Sequence, residues 1–241
     1  MMEERNLNRY DFDSDYARAG LTLNQYMSQT FGWMFVGLMI TFLLAGALAM
    51  TGLVYVFFSN PYIPMMLLVA EVVVVLVMSA GILNRSVGVT RMLFAVYSIL
   101  NGIVFSVYFF AYDVINLILI FGLTALFFGG FALYGRFTRT DLSRLRPLLI
   151  GGLIFLLIAG LLSMFIDLTA LERGICMVGI VVFLCFTAYD TQKIKANYEY
   201  FYGDEVILQK ASIYSALQLY LDFINLFLYL LRFLGRSRSR N

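Results

Sequence analysis

Four stretches of this 241-residue chain contain no charged residue: Phe31–Phe58, Met92–Tyr112, Val114–Gly135 and Pro147–Ile166. Each is about as long as the roughly 20 apolar residues that carry a helix across a ~30 Å hydrocarbon layer. Tyr62–Leu83 is interrupted only by Glu71, and Ala211–Leu231 only by Asp222. With the shorter run Gly174–Tyr189 there are seven hydrophobic segments, and the chain reads as an all-α polytopic membrane protein. Strands of outer-membrane barrels alternate apolar and polar residues, which these runs do not. Composition agrees, with 61% hydrophobic and 13% charged residues and a mean hydropathy of +0.85.

Outside these segments little chain remains. Residues 1–27 form a polar tail, 28–235 the seven-helix domain and 236–241 a basic tail. No cleavable signal peptide is expected, because the first thirty residues are polar and the first apolar run is too long for one. The connections Ser59–Pro61 and Asp113 are short, which predicts tight antiparallel hairpins for segments one and two and for segments three and four. Small residues such as Ala45, Ala49, Gly152 and Gly160 permit close helix contacts.

Several functions are excluded by residue type. The net charge of +2 reflects arginines in loops and tails, so nucleic acid is not an expected partner. There is no histidine, which removes the usual zinc sites and any Ser-His or Cys-His nucleophile. Cys176 and Cys185 point in opposite directions on one helix and cannot pair. They are read as small buried hydrophobes.

Basic residues sort between the two faces. Twelve lie before segment one or in the second-to-third, fourth-to-fifth and sixth-to-seventh connections, against Arg173 alone in the opposite ones. The N-terminus is therefore expected in the cytoplasm of a multi-pass cell-membrane protein. Arg232, Arg236, Arg238 and Arg240 follow segment seven and favour the same side. Either that segment spans against the charge rule or it re-enters.

Glu71 sits ten residues into its segment, about 15 Å deep, and Asp222 is equally deep. Ionisable groups at that depth are costly and face a partner or a wet cavity. Gln218 and Asn225, at i−4 and i+3, share the face of Asp222. Asp190 closes the sixth run a few ångströms below the membrane edge, where Lys193 at i+3 would suit a wet surface residue. Its spacing leaves two readings open, an interfacial residue or a buried one.

The stretch "AYDTQKI", residues 188–194, together with "LYLDFINLFLYLLRFLG", residues 219–235, closely resembles the Bax inhibitor-1/YccA family, and the resemblance extends over the membrane-embedded chain to a bacterial member. It implies a last helix at the centre with three helix pairs around it. It also implies that Asp190 and Asp222 share a proton and form a pH-sensitive latch over a calcium-conducting path. Glu71 matches the family's acid in the second helix, and Arg85 is the candidate latch arginine. No cofactor is expected. The partners are the bilayer, protons and Ca²⁺ as transported ion, for which Asp190 and Asp222 would supply oxygen ligands. On the depths above, the two aspartates are roughly 10 Å apart along the normal. They meet only if the last helix begins below the surface, tilts or re-enters.

Three functions compete. The first is a pH-gated cation leak with Asp190 and Asp222 as switch and Glu71 in the pathway. The second is a non-transporting protein that modulates a membrane protease or stress response, docking through Arg136–Arg146. The third is an intramembrane aspartyl protease, but its GxGD motif is replaced here by Leu219-Tyr220-Leu221-Asp222. The first is the preferred reading, and no enzyme activity is expected.

Overall fold

The computed structural model describes residues 21–60, 62–80, 85–163 and 165–235. Most of both polar tails lies outside them. Among the described residues there are helices and no strands. In chain order these are α1 (Leu23–Thr51), α2 (Val54–Phe58), α3 (Tyr62–Ala80), α4 (Val87–Phe105), α5 (Tyr108–Ala111), α6 (Val114–Phe137), a 3₁₀ turn (Leu142–Leu145), α7 (Arg146–Leu162), α8 (Glu172–Tyr200) and α9 (Glu205–Leu234). Seven of them, alone or with a short neighbour, are long and apolar enough to cross a membrane.

Capping chemistry sets several boundaries. α1 begins at Leu23, roughly two turns ahead of the apolar run, because Thr22 and Gln25 form a reciprocal capping box. Such a cap contributes about 1 kcal/mol. Ser86 caps α4 by accepting from the Val89 amide, and Pro147 occupies the first turn of α7. Gly203, at φ +94°, turns the chain between α8 and α9, and Asp204 then accepts from the Ile207 amide.

α9 is the axis of the bundle. It packs against α1, α4, α6 and α8, while α3 rests chiefly on α4 and α7 on α8. The six outer helices thus form two triplets, α1/α3/α4 and α6/α7/α8. The short links do reverse the chain, but the extensive contacts join α1 to α4 and α6 to α8 rather than hairpin neighbours. Link length fixes where a helix starts; the face it can bury fixes what it packs on. α3 buries only Leu67 and Met78, so it has little with which to hold α1.

Aromatic rings fill the centre. Phe42 of α1 meets Phe105, Phe121 and Phe227 edge-on, with centroids 4.6–5.7 Å apart, an arrangement that suits the ring quadrupoles. Some polar groups in the core are bonded across helices. Tyr220 OH and Thr41 Oγ1 are 2.6 Å apart, and Thr30 Oγ1 and Ser212 Oγ 3.0 Å. Cys176 and Cys185 are free thiols.

α9 is continuous over 30 residues, about 45 Å, and does not double back. A Cβ on Gly235, at its end, would lie 2.8 Å from Tyr112 Cε1, and Tyr112 belongs to the connection on the face opposite the start of α1. The re-entrant alternative is therefore set aside: segment seven spans.

Candidate functional site

α8 and α9 form an antiparallel hairpin whose contacts repeat every seven residues. Phe183, Asp190 and Asn197 on α8 face Tyr229, Asp222 and Ser215 on α9. Seven residues are close to two helical turns, so the same two faces meet at each step. The Phe183 and Tyr229 rings stack with centroids 5.8 Å apart. Asn197 Nδ2 donates to Ser215 Oγ at 3.3 Å. At the middle step the carboxyl groups of Asp190 and Asp222 face each other within hydrogen-bonding range.

Both aspartates are enclosed, with 8% and 5% of their surface exposed. Ionised carboxylates only accept hydrogen bonds, so a bond between the two would require a proton on one of them. Nearby hydroxyls do not replace it: Thr187 and Thr191 donate to the Phe183 and Thr187 carbonyls of their own helix. Asp222 Oδ2 is enclosed without a hydrogen-bond partner among the described residues. The positive charge of Lys193 reaches both carboxyls.

Asp190 is not a wet helix end. α8 runs on from Tyr189 to Tyr200, past the point where the apolar run stops. These roughly three further helical turns carry polar residues that are satisfied by protein, among them Gln192, Lys195 and Asn197. The expected offset from Asp222 disappears for the same reason. α9 starts at Glu205, upstream of its apolar run, and the two long helices pass each other without special threading.

Glu71 occupies a different place. It lines a cavity of about 240 Å³ with Leu68, Val72, Val75, Leu76, Tyr97 and Leu221. Its charge reaches Tyr97 and Tyr220, and its Oε1 is enclosed without a partner among the described residues. Successive residues of a helix are 100° apart, so Leu221 faces Glu71 while Asp222 faces Asp190. Between these directions α9 presents half-buried Gln218 and Asn225; Asn225 Nδ2 donates to the Leu221 carbonyl at 2.8 Å. Arg85 is half-buried ahead of α4, with Nη1 enclosed and without a partner among the described residues.

A second cavity of about 240 Å³ opens on the face where α9 ends, lined in part by Asp167, Glu172, Cys176, Tyr229 and Arg232. The Phe183–Tyr229 stack lies between it and the aspartates. A Cβ on Gly179 would come within 2.6 Å of the Tyr229 ring, so glycine is what lets that ring lie flat against α8.

The seven-residue spacing of the α8–α9 contacts is seen only once the two helices are set side by side. Three contacts gave no sequence signal: Gln192 bonded to the α6–α7 connection, Lys195 to the last turn of α6, and Thr41 to Tyr220. They join segments far apart in the chain.

Among the described residues no group of three or more His, Cys, Asp or Glu side chains is placed to hold a metal ion. The aspartate pair offers at most four oxygens, against the 6–8 that Ca²⁺ takes. A Ca²⁺ ion at this point would keep part of its water.

Comparison with known proteins places this arrangement. The family model described as "Inhibitor of apoptosis-promoting Bax1" matches residues 23–239. The inner membrane protein YbhL of Escherichia coli is 42% identical over 223 residues, covering 92% of this chain and 94% of that protein. A protein of Borreliella burgdorferi is 36% identical over 91% of the chain and 95% of its own length. One from Deinococcus radiodurans is 35% identical over 90% and 94%. With the match running from the first described helix through the last, this multi-pass membrane protein belongs to the Bax inhibitor-1 family.

Proposed function

We propose that the chain is a pH-sensitive cation leak path, chiefly for Ca²⁺, switched by proton sharing between Asp190 and Asp222. The observation that carries this reading is the placement of two enclosed carboxyl groups face to face on adjoining helices. While one proton is shared, α8 and α9 are joined at their middle. When it leaves, two like charges face each other at hydrogen-bonding range, where both cannot ionise without repulsion. The helices are then pushed apart, and oxygens that suit a hard cation are released.

The rest of the path follows from what lies on either side. Glu71 and the polar face Gln218–Asn225 lead toward the pair from one flank. The cavity with Asp167 and Glu172 lies beyond the Phe183–Tyr229 stack. In this reading Lys193, three residues from Asp190, supplies the positive charge beside the pair, and Arg85 has its role elsewhere. The charge rule places the face bearing the N-terminus in the cytoplasm. No bond is made or broken, so the activity is passage and not catalysis.

The test is calcium uptake by liposomes holding only this protein, measured across pH 5–9 for the parent, Asp190→Asn, Asp222→Asn and the double variant. Uptake by the parent should depend on pH, and each single replacement should flatten that dependence. The double variant should add little, because two residues acting as one unit are not additive. An unaltered profile for Asp190→Asn would end the proposal. Absence of uptake at every pH would favour a protein that acts by binding another membrane protein.

A further inference from the structure

The connection between α6 and α7 is charged on the outside and fastened on the inside. Arg139, Arg144 and Arg146 are exposed, and Phe137 and Leu148 beside them are each 72% exposed. Asp141, the one acid of the connection, is bonded to Ser143. Arg136 is engaged inward: its Nη2 donates to Asn24 Oδ1 at 3.0 Å, and its guanidinium lies over the Phe137 ring. Exposed guanidinium groups flanked by exposed apolar side chains, where spanning helices leave the hydrocarbon, complement phosphate headgroups and the acyl chains below them.

This connection and the end of α6 are held to α8 by three contacts on one face of α8. Gln192 uses both ends of its amide: Oε1 accepts from the Leu142 amide at 2.9 Å, and Nε2 donates to the Thr140 carbonyl at 2.8 Å. Lys195 Nζ donates to the Arg136 carbonyl. A Cβ on Gly135 would overlap the Ala188 carbonyl oxygen, so α6 and α8 touch there through their backbones. Ala188, Gln192 and Lys195 stand at i, i+4 and i+7, one face of the helix. Asp190 leaves from the other side, toward α9. Any rotation of α8 that withdraws Asp190 must carry the connection with it or break the Gln192 clamp.

We propose that this connection docks on the headgroups of anionic phospholipids and that the Gln192 clamp transmits the docking to the part of α8 that holds Asp190. Headgroup binding fixes the connection, and the fixed connection resists movement of α8. The inference concerns lipid binding and helix position, so it stands or falls apart from calcium passage.

The experiment is amide hydrogen exchange on the full chain in nanodiscs of phosphatidylcholine alone or with phosphatidylglycerol, read over segments 138–145 and 187–196. Phosphatidylglycerol should slow exchange in both segments, and 1 M salt should cancel the difference by shortening the screening length to about 3 Å. Arg144→Gln with Arg146→Gln should weaken retention of phosphatidylglycerol by about fivefold per arginine and remove both responses. Gln192→Leu should keep the response in 138–145 and lose it in 187–196. If the double variant does not fold in phosphatidylcholine, Arg144→Gln alone at graded salt gives the same reading. Three results would overturn the proposal: no difference between the two lipids in the parent, a response that survives loss of the arginines, or a response to polyglutamate but not to phosphatidylglycerol. The last would assign the surface to an acidic protein.

Discussion

Helices α3 and α9 each carry one carboxyl group deep in an apolar run, and they are opposites in every other respect. α3 is the most apolar of the seven spans and the least buried, with 11% of its apolar stretch inside the protein. α9 is the least apolar and the most buried, at 56%. In water this order would be reversed. In a bilayer the lipid is as apolar as leucine, so hydropathy marks the helix that faces lipid, and close packing and polar contacts mark the one that faces protein. The two acids follow suit: Glu71 lines a cavity among exposed apolar side chains, while Asp222 is enclosed inside the bundle, facing Asp190.

The largest effect expected from this contrast is on stability. Leu226 on α9 has 0% exposure and Leu68 on α3 has 57%. Leu226→Ala opens a hole that neither lipid nor protein fills and should cost about 2–4 kcal/mol. Leu68→Ala exchanges one lipid contact for another and should stay within about 0.5 kcal/mol. Reversible unfolding in mixed micelles measures both. Similar losses for the two would mean that α3 is packed against something not seen in the single chain.

How much of this was legible in the sequence depends on the same contrast. Helix count and class were readable because lipid-facing runs are uncharged. The ends of α8 and α9 were not, because both continue through polar residues whose partners lie elsewhere, such as Asn197 on Ser215 and Lys195 on the Arg136 carbonyl. That shortfall put Asp190 at the membrane edge on paper and mid-helix in the structure. The capping box Thr22–Gln25 is a readable signal, although it precedes the apolar run. The triplet packing could not be read, since it depends on which face each helix has free. The pairing of Asp190 with Asp222 followed from the family motifs; their spacing alone left it open.

Next in size is the difference between the two acids in transport. Asp222→Asn should flatten the pH dependence of calcium uptake, as above. Glu71→Gln keeps shape and hydrogen bonding and should leave the pH midpoint in place while slowing uptake by a factor on the order of three to ten. The reason is position: Glu71 reaches Tyr97 and Tyr220 but faces away from Asp190. An unchanged rate at every pH would remove Glu71 from the path. A shifted midpoint would make it part of the switch and erase the distinction drawn between the two helices.

The smallest effect contrasts both acids with one outside the membrane. Asp141 precedes the 3₁₀ turn Leu142–Leu145, and its Oδ1 accepts from the Ser143 amide at 2.9 Å. Hydrogen bonds from the Ser143 side chain and backbone hold its carboxyl below the usual aspartate range. A carboxyl with a depressed folded-state value stabilises the protein above its unfolded value, near 3.9, and that contribution fades as pH falls through the folded value. Asp141→Asn keeps an acceptor but loses the charge. The unfolding temperature of the parent should therefore exceed that of the variant slightly at neutral pH, and the gap should close below about pH 4. Asp167, bonded to the Thr169 amide at 2.9 Å and lowered for the same reason, should behave alike on the opposite face. A gap that instead closed between pH 6 and 8 would show that Asp141 is coupled to the buried pair through the Gln192 clamp. The exposed cap and the enclosed aspartates would then titrate as one system, and the boundary between water-facing and protein-facing acids would have to be redrawn.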